Sequence, residues 1–110
     1  LSPTPFIETA TMTTVWTWRG YFFGYISHNN LYTYSGRHVG QLIDNDIYGS
    51  DGRYLGELMD QNRLITCLQK RNYRVAGFSP LNSGAIARHV NYVGSVMYAG
   101  YQDFPSPESF

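Results

Sequence analysis

The apolar positions of this chain recur in one order. An aliphatic residue is followed by an aromatic, a small residue and a glycine turn, then by a second apolar run. VWTWRGYFFGYISHNN from Val15, LYTYSGRHVGQLIDND from Leu31 and IYGSDGRYLGELMDQN from Ile47 follow one another without a gap at a spacing of sixteen residues. No window carries a helical 3.6-residue stripe, and the short β-branched and aromatic runs predict strands. Arg19-Gly20, Ser35-Gly36 and Asp51-Gly52 then predict hairpin turns, the Asp-Gly pair pointing to type I′, which needs positive φ at both central residues. In the second strands the apolar rows Phe23/Val39/Leu55 and Ile26/Leu42/Leu58 lie three residues apart, a spacing that puts them on opposite faces of a regular strand. A bulge at Gly24, Gly40 and Gly56 is expected to return both rows to one face. Polar corners at His28-Asn29-Asn30, Asp44-Asn45-Asp46 and Asp60-Gln61-Asn62 complete an antiparallel meander without crossover helices.

The next sixteen residues, RLITCLQKRNYRVAGF from Arg63, keep strand-like runs at Leu64–Cys67 and Tyr73–Val75 but replace both motif glycines with Leu68 and Asn72. This is a degenerate fourth copy, as terminal repeats commonly are. The domain reading is an extended N-terminal arm over 1–14, a hairpin-repeat domain over 15–78 and an irregular, partly packed C-terminal segment over 79–110. Within that segment Val90–Val93 and Val96–Tyr98 are strand candidates, and the Pro-rich end from Pro105 is expected to be loose.

Composition changes this picture little. The 110 residues suffice for one domain, and ten tyrosines suit half-buried strands whose hydroxyls stay wet. Net charge is zero but unevenly distributed. From Gln61 to Gln102 there is no Asp or Glu, while Arg63, Lys70, Arg71, Arg74 and Arg88 lie there. The lone Cys67 excludes an intramolecular disulfide. No apolar run reaches the roughly 18–20 residues of a spanning helix. With no initiator Met, a processed N-terminus is compatible with a cytoplasmic or an exported product.

The units Leu31-Tyr32-x-Tyr34-x-Gly36-Arg37-x-Val39-Gly40-x-Leu42 and Ile47-Tyr48-x-x-Asp51-Gly52-Arg53-Tyr54-Leu55-Gly56-x-Leu58 resemble the 4-fold beta flower domain. In that bacterial family four β-hairpins are arranged as petals around a pseudo-fourfold axis. The resemblance spans about residues 15–78, continues more weakly to Gly100–Phe104, and implies a fold but no reaction. The expected fold is all-β, an antiparallel meander of three clean and one degenerate 16-residue hairpins around a pseudo-fourfold axis. The alternative is a small closed up-and-down β-barrel.

In such an arrangement Val15/Leu31/Ile47 and Phe23/Val39/Leu55 form central layers, and Trp16/Tyr32/Tyr48 with Trp18/Tyr34 form an aromatic band. The turn side carries Arg19, Arg37 and Arg53 beside Tyr21, His38 and Tyr54, a set able to hold an anionic or aromatic ligand by bidentate hydrogen bonds and stacking. Arg63, Lys70, Arg71 and Arg74 form a basic stretch of the kind that lines single-stranded nucleic-acid surfaces. The acidic corners lack calcium-loop spacing, and His28, His38, His89 and Cys67 match no catalytic or zinc motif, so no catalytic residue, metal or cofactor is assigned. The expected role is a non-enzymatic binding or assembly module, acting on a protein partner or by self-association. An anionic small molecule or nucleic acid is the alternative ligand, and a hydrolase built on His and Cys67 the third reading.

Overall fold

The computed structural model describes residues 12–110. Eight strands follow in chain order: β1 (Thr13–Thr17), β2 (Phe22–Ser27), β3 (Asn30–Thr33), β4 (His38–Ile43), β5 (Asp46–Tyr48), β6 (Tyr54–Met59), β7 (Arg63–Cys67) and β8 (Tyr101–Asp103). Among the described residues the only helical elements are 3-10 turns at Leu68–Lys70 and Pro107–Ser109. Each of the first seven strands pairs antiparallel with the next, and β1 returns to β7 in parallel, Trp16 opposite Arg63 and Thr17 opposite Leu64. A meander of seven strands must close in this way, because its first and last strands run in the same direction. The molecule is therefore a closed mixed seven-stranded barrel with one extra strand. The parallel seam corrects the expectation of a wholly antiparallel sheet.

The three clean copies are the hairpins β1–β2, β3–β4 and β5–β6. In each, the register skips one residue of the second strand. Val15 faces Gly24 but Trp16 faces Phe22, Leu31 faces Gly40 but Tyr32 faces His38, and Ile47 faces Gly56 but Tyr48 faces Tyr54. The extra residues are Phe23, Val39 and Leu55, each just before the glycine, and the bulge turns them inward. Both apolar rows accordingly reach one core: Phe23, Ile26 and Val39 are buried in it, and Leu42, Leu55 and Leu58 pack on it. Val15, Leu31 and Ile47 are fully buried, and the fourth member of their layer is Leu64. The sixteen-residue period would have placed Arg63 there; a one-residue slip in β7 puts the apolar neighbour inside instead.

The glycine turns differ from the type I′ expectation. Thr17 N–H donates to Tyr21 O (2.8 Å) and Gly20 N–H to Thr17 O (2.9 Å), with equivalent pairs at Thr33/Arg37 and Gly49/Arg53. Of the central residues only the glycines lie in the left-handed region, Gly20 at φ 95°, Gly36 at 91° and Gly52 at 84°. These are three-residue loops ending in a left-handed glycine. Paired positive φ occurs instead at the polar corners, His28-Asn29 (50° and 62°) and Asp60-Gln61 (52° and 69°).

The fourth hairpin draws its second strand from far along the chain. β8 pairs with the C-terminal half of β7, Ile65 opposite Asp103 and Cys67 opposite Tyr101, beyond the residues β1 occupies. Phe104 then supplies the core side chain where the other hairpins carry Phe23, Val39 and Leu55. Tyr73–Val75, expected as strand, contributes one isolated bridge, Arg74 to Arg53.

Between β7 and β8 the chain forms a strap that visits the glycine turns in reverse order, two backbone hydrogen bonds at each. Val75 and Phe78 donate to Gly52 O and Ser50 O, Ser83 and Ile86 to Gly36 O and Tyr34 O, and Tyr92 and Ser95 to Gly20 O and Trp18 O. The expected strands at Val90–Val93 and Val96–Tyr98 are absent, since this backbone bonds to turns rather than to a sheet edge. The end of the chain is packed: Pro107 is buried, and the Phe110 ring meets Phe23 at 5.8 Å and Phe104 at 6.1 Å. Of the N-terminal arm expected over 1–14, residues 1–11 lie outside the described residues, while Thr13 and Thr14 belong to β1.

Candidate functional site

The aromatic band is the platform on which the strap rests. Trp16 Nε1 donates to Val90 O (2.9 Å), Trp18 Nε1 to Val96 O (3.0 Å) and the Tyr25 hydroxyl to Gly84 O (2.7 Å). Tyr92 stacks on Trp16 at 4.2 Å, and His89 lies parallel to Phe22 at 4.6 Å. Two asparagines repeat one contact: Asn82 Oδ1 accepts the His38 N–H and Asn91 Oδ1 the Phe22 N–H, each at 2.9 Å. Trp16 and Trp18 are thus buried by the chain's own strap, whose Leu81, Val90, Val93 and Val96 side chains stay exposed.

A cleft of about 770 Å³ opens between the second and third glycine turns, below the strap at Pro80–Asn82. Arg37 and His38 of the second turn, Ser50 and Asp51 of the third, and Leu55 and Phe110 are among the residues that line it. The His38 ring is buried and fully engaged. Leu81 N–H donates to Nδ1 (2.9 Å), which leaves Nε2 to carry the proton and donate to Gly40 O (3.1 Å). Tyr32 and Phe78 pack on the ring at 5.1 and 4.7 Å. Burial lowers its pKa below the ordinary histidine value, against a smaller opposing effect of the bond to Gly40. His38 therefore fastens the strap as a neutral ring. Arg37 is exposed and gives one N–H to the Phe110 backbone oxygen (2.5 Å).

The turn-side set is thus split by the structure. Of the six residues named there, only Arg37 and His38 share this cleft. Arg19 is exposed at the first turn and Tyr21 is 55% exposed beside it. Arg53 faces Asp51 at 3.8 Å across an exposed turn, and Asp51 Oδ1 also accepts the Arg53 N–H. Tyr54 is buried, with its hydroxyl donating to Glu57 (3.1 Å) and accepting from Cys67 N–H (3.0 Å), and burial raises its pKa.

The basic stretch is divided too. Lys70 Nζ contacts Asp46 Oδ1 and Glu57 Oε1, both at 3.0 Å, and those bonds hold its ammonium above the ordinary lysine value. Arg63 donates to Trp18 O (3.3 Å) and lies over the Tyr92 ring. Arg71 and Arg74 are exposed. Cys67 is buried against Tyr48 and Tyr54. Among the described residues no three His, Cys, Asp or Glu side chains are grouped to hold a metal ion.

The sequence carries a signal for the cleft. Where the first two copies have Thr17-Trp18 and Thr33-Tyr34, the third has Gly49-Ser50. Tyr34 leans across to Phe22 of the neighbouring hairpin (6.3 Å), and the equivalent place beside His38 receives no ring from the third turn. The cleft occupies that place. No curated protein and no solved structure matches the chain. A family model matches residues 2–92, and its description is 4-fold beta flower protein.

Proposed function

The chain belongs to the 4-fold beta flower protein family, and on that premise we propose that it is a non-enzymatic binding or assembly module that docks protein through its strap. In this reading the four hairpin positions, the last built from β7 and β8, are petals about one pseudo-fourfold axis. The Val15/Leu31/Ile47/Leu64 layer and the Phe23/Val39/Leu55/Phe104 layer support it. The observation that carries the docking role is the outer side of the strap. Leu81 is 78% exposed, Val90 78%, Val93 90% and Val96 87%. The strap's attachments turn the backbone N–H groups of Val75, Phe78, Ser83, Ile86, Tyr92 and Ser95 and the carbonyls of Val90 and Val96 inward, while the side chains of Leu81, Val90, Val93 and Val96 stay exposed. A row of branched aliphatics held on a fixed backbone loses little entropy when covered, and apolar surface of this kind marks interaction sites.

A second copy of the chain is the occupant to test first. Sedimentation velocity across concentrations is expected to show association that disappears in the triple variant Val90→Ser, Val93→Ser, Val96→Ser. A strict monomer at about 1 mM, or association unchanged in the triple variant, overturns assembly through the strap. A nucleic-acid role for residues 63–74 draws less support, because Lys70 is committed to Asp46 and Glu57 and Arg63 to Trp18 and Tyr92.

A further inference from the structure

One barrel side chain fastens the stretch of strap that lines the cleft. We infer that His38 is a pH-sensitive latch: protonation at Nδ1 releases strap residues 79–83 from the second turn, while the strap stays attached on either side. The latch stands whether or not the strap's outer face docks protein.

The stretch is bounded by two firm points. Before it, Phe78 N–H donates to Ser50 O (2.9 Å), and after it, the Gly84 carbonyl accepts the Tyr25 hydroxyl (2.7 Å). Three strap residues converge on His38. Phe78 packs on its ring at 4.7 Å, Leu81 N–H donates to Nδ1 at 2.9 Å, and Asn82 Oδ1 accepts its backbone N–H at 2.9 Å. Ser83 N–H adds a bond to Gly36 O (2.8 Å). Residues 79–83 are all exposed, so no buried side chain of theirs holds the stretch down.

The chemistry follows from which atoms face each other. A backbone N–H only donates, so Nδ1 meets Leu81 as a bare lone pair and Nε2 carries the single proton toward Gly40 O. A second proton has to go on Nδ1. It turns that contact into two N–H groups aimed at each other, with positive charge on the ring. The ring does not relieve this by turning. It is buried, with Tyr32 and Phe78 packed on it, and a half-turn would put carbon at both nitrogen positions and abandon Gly40 O. The exposed strap gives way instead.

The surrounding charges do not hold the proton on the latched ring. β4 itself places Arg37 beside the cleft, and the third turn places there Asp51, which already has Arg53 as its partner. β3 contributes Tyr32, kept neutral by burial, and Phe78, Leu81 and Asn82 of the strap are uncharged. Burial disfavours the imidazolium in the latched state, whereas the released ring regains the ordinary value of 6.5. Protons therefore bind preferentially to the released state and favour it below that pH.

The repeat supplies the contrast. At the position of His38 the first hairpin has Phe22 and the third Tyr54. Phe22 has nothing to titrate, and the buried Tyr54 hydroxyl has its pKa raised and stays neutral. His89 of the strap lies flat on Phe22, where a proton adds a cation–π contact. Acid is thus expected to open one attachment of three.

The test is amide hydrogen exchange by NMR, read as protection factors between about pH 7.5 and 4.5, with the His38 ring signals followed in the same samples. Leu81 and Ser83 are expected to lose protection about tenfold, with the midpoint at which the His38 ring titrates. Val75, Tyr92 and Ser95 are expected to keep theirs. His38→Phe, which installs the residue of the first hairpin, should leave protection at Ser83 independent of pH. If it does not fold, His38→Gln is read in the same way. No loss at Leu81 and Ser83 over this range, equal loss at all the attachments, a midpoint apart from that of the ring, or pH dependence that persists in the folded variant overturns the latch.

Discussion

Gly52 and Gly100 share nearly the same backbone, φ +84° and +83°, in different surroundings. A Cβ on Gly100 meets nothing within 4 Å, whereas on Gly52 it would lie 2.0 Å from the Val75 carbonyl oxygen, in backbone that cannot swing aside. Gly100→Ala should therefore carry only the conformational cost, about 1 kcal/mol or somewhat more. Gly52→Ala should cost about 1–3 kcal/mol beyond that, from forced displacement of the strap. Paired urea denaturation midpoints check the difference. His38 makes a second prediction at this scale. Its folded pKa lies below the ordinary value of 6.5, because burial disfavours the imidazolium. Below 6.5 the unfolded chain takes up a proton that the folded ring resists, so stability falls as pH drops through that value and is fully present above it. Denaturant midpoints between about pH 8 and 5 should decline in the native protein. In His38→Gln they should decline less, since protonation of Nδ1 no longer competes with the Leu81 N–H.

The strap holds through a few repeated bonds rather than through a buried face, since Ile86 and Met97 alone between Ser79 and Tyr98 are even half-buried. Asn82→Ala and Asn91→Ala should each cost about 1–3 kcal/mol, by stranding the His38 or Phe22 N–H under the strap. Hydrogen exchange should rise at the nearby attachment, Ser83 and Ile86 for the first variant, Tyr92 and Ser95 for the second. The same weakness of side-chain patterning explains what sequence reading could reach. The hairpins were legible because each carries its own turn glycine and apolar rows, and the bulges because those rows stand three apart. The strap was not, because backbone groups make its bonds and only Asn82, Asn91 and the glycines Gly77 and Gly94 mark it. The source of the fourth hairpin's second strand was equally hidden, since β7 and Tyr101–Asp103 are far apart in sequence. Of the candidate site, Arg37 and His38 were legible as turn residues. What joins them is the contrast between Gly49-Ser50 and its two counterparts, visible once the copies are compared for what one of them lacks.

At the scale of the molecule, the shared core depends on a residue outside the regular copies. Phe104 is 3% exposed, meets Phe23 edge to face at 5.4 Å and lies against Gly56, where a Cβ would come within 2.6 Å of its ring. Phe104→Ala is expected to cost about 3–5 kcal/mol, with thermal unfolding that remains a single transition at lower temperature. Near-ultraviolet and far-ultraviolet dichroism should report the same midpoint, because the core cluster is shared by all four hairpin positions.

The reverse course of the strap bears on how the chain folds. An attachment of Tyr92 to Gly20 in an otherwise open chain must close a loop through the whole barrel sequence. Made after the attachments at Gly52 and Gly36, the same contact closes only the short stretch from Ile86 to Tyr92. Loop-closure entropy grows with the logarithm of length, so the cheapest route starts at the last clean hairpin and zips backward. The strap would then be the slow-arriving part of a protein whose hairpins form early. Refolding followed by tryptophan fluorescence should show it as a late phase, as Val90 and Val96 reach Trp16 and Trp18.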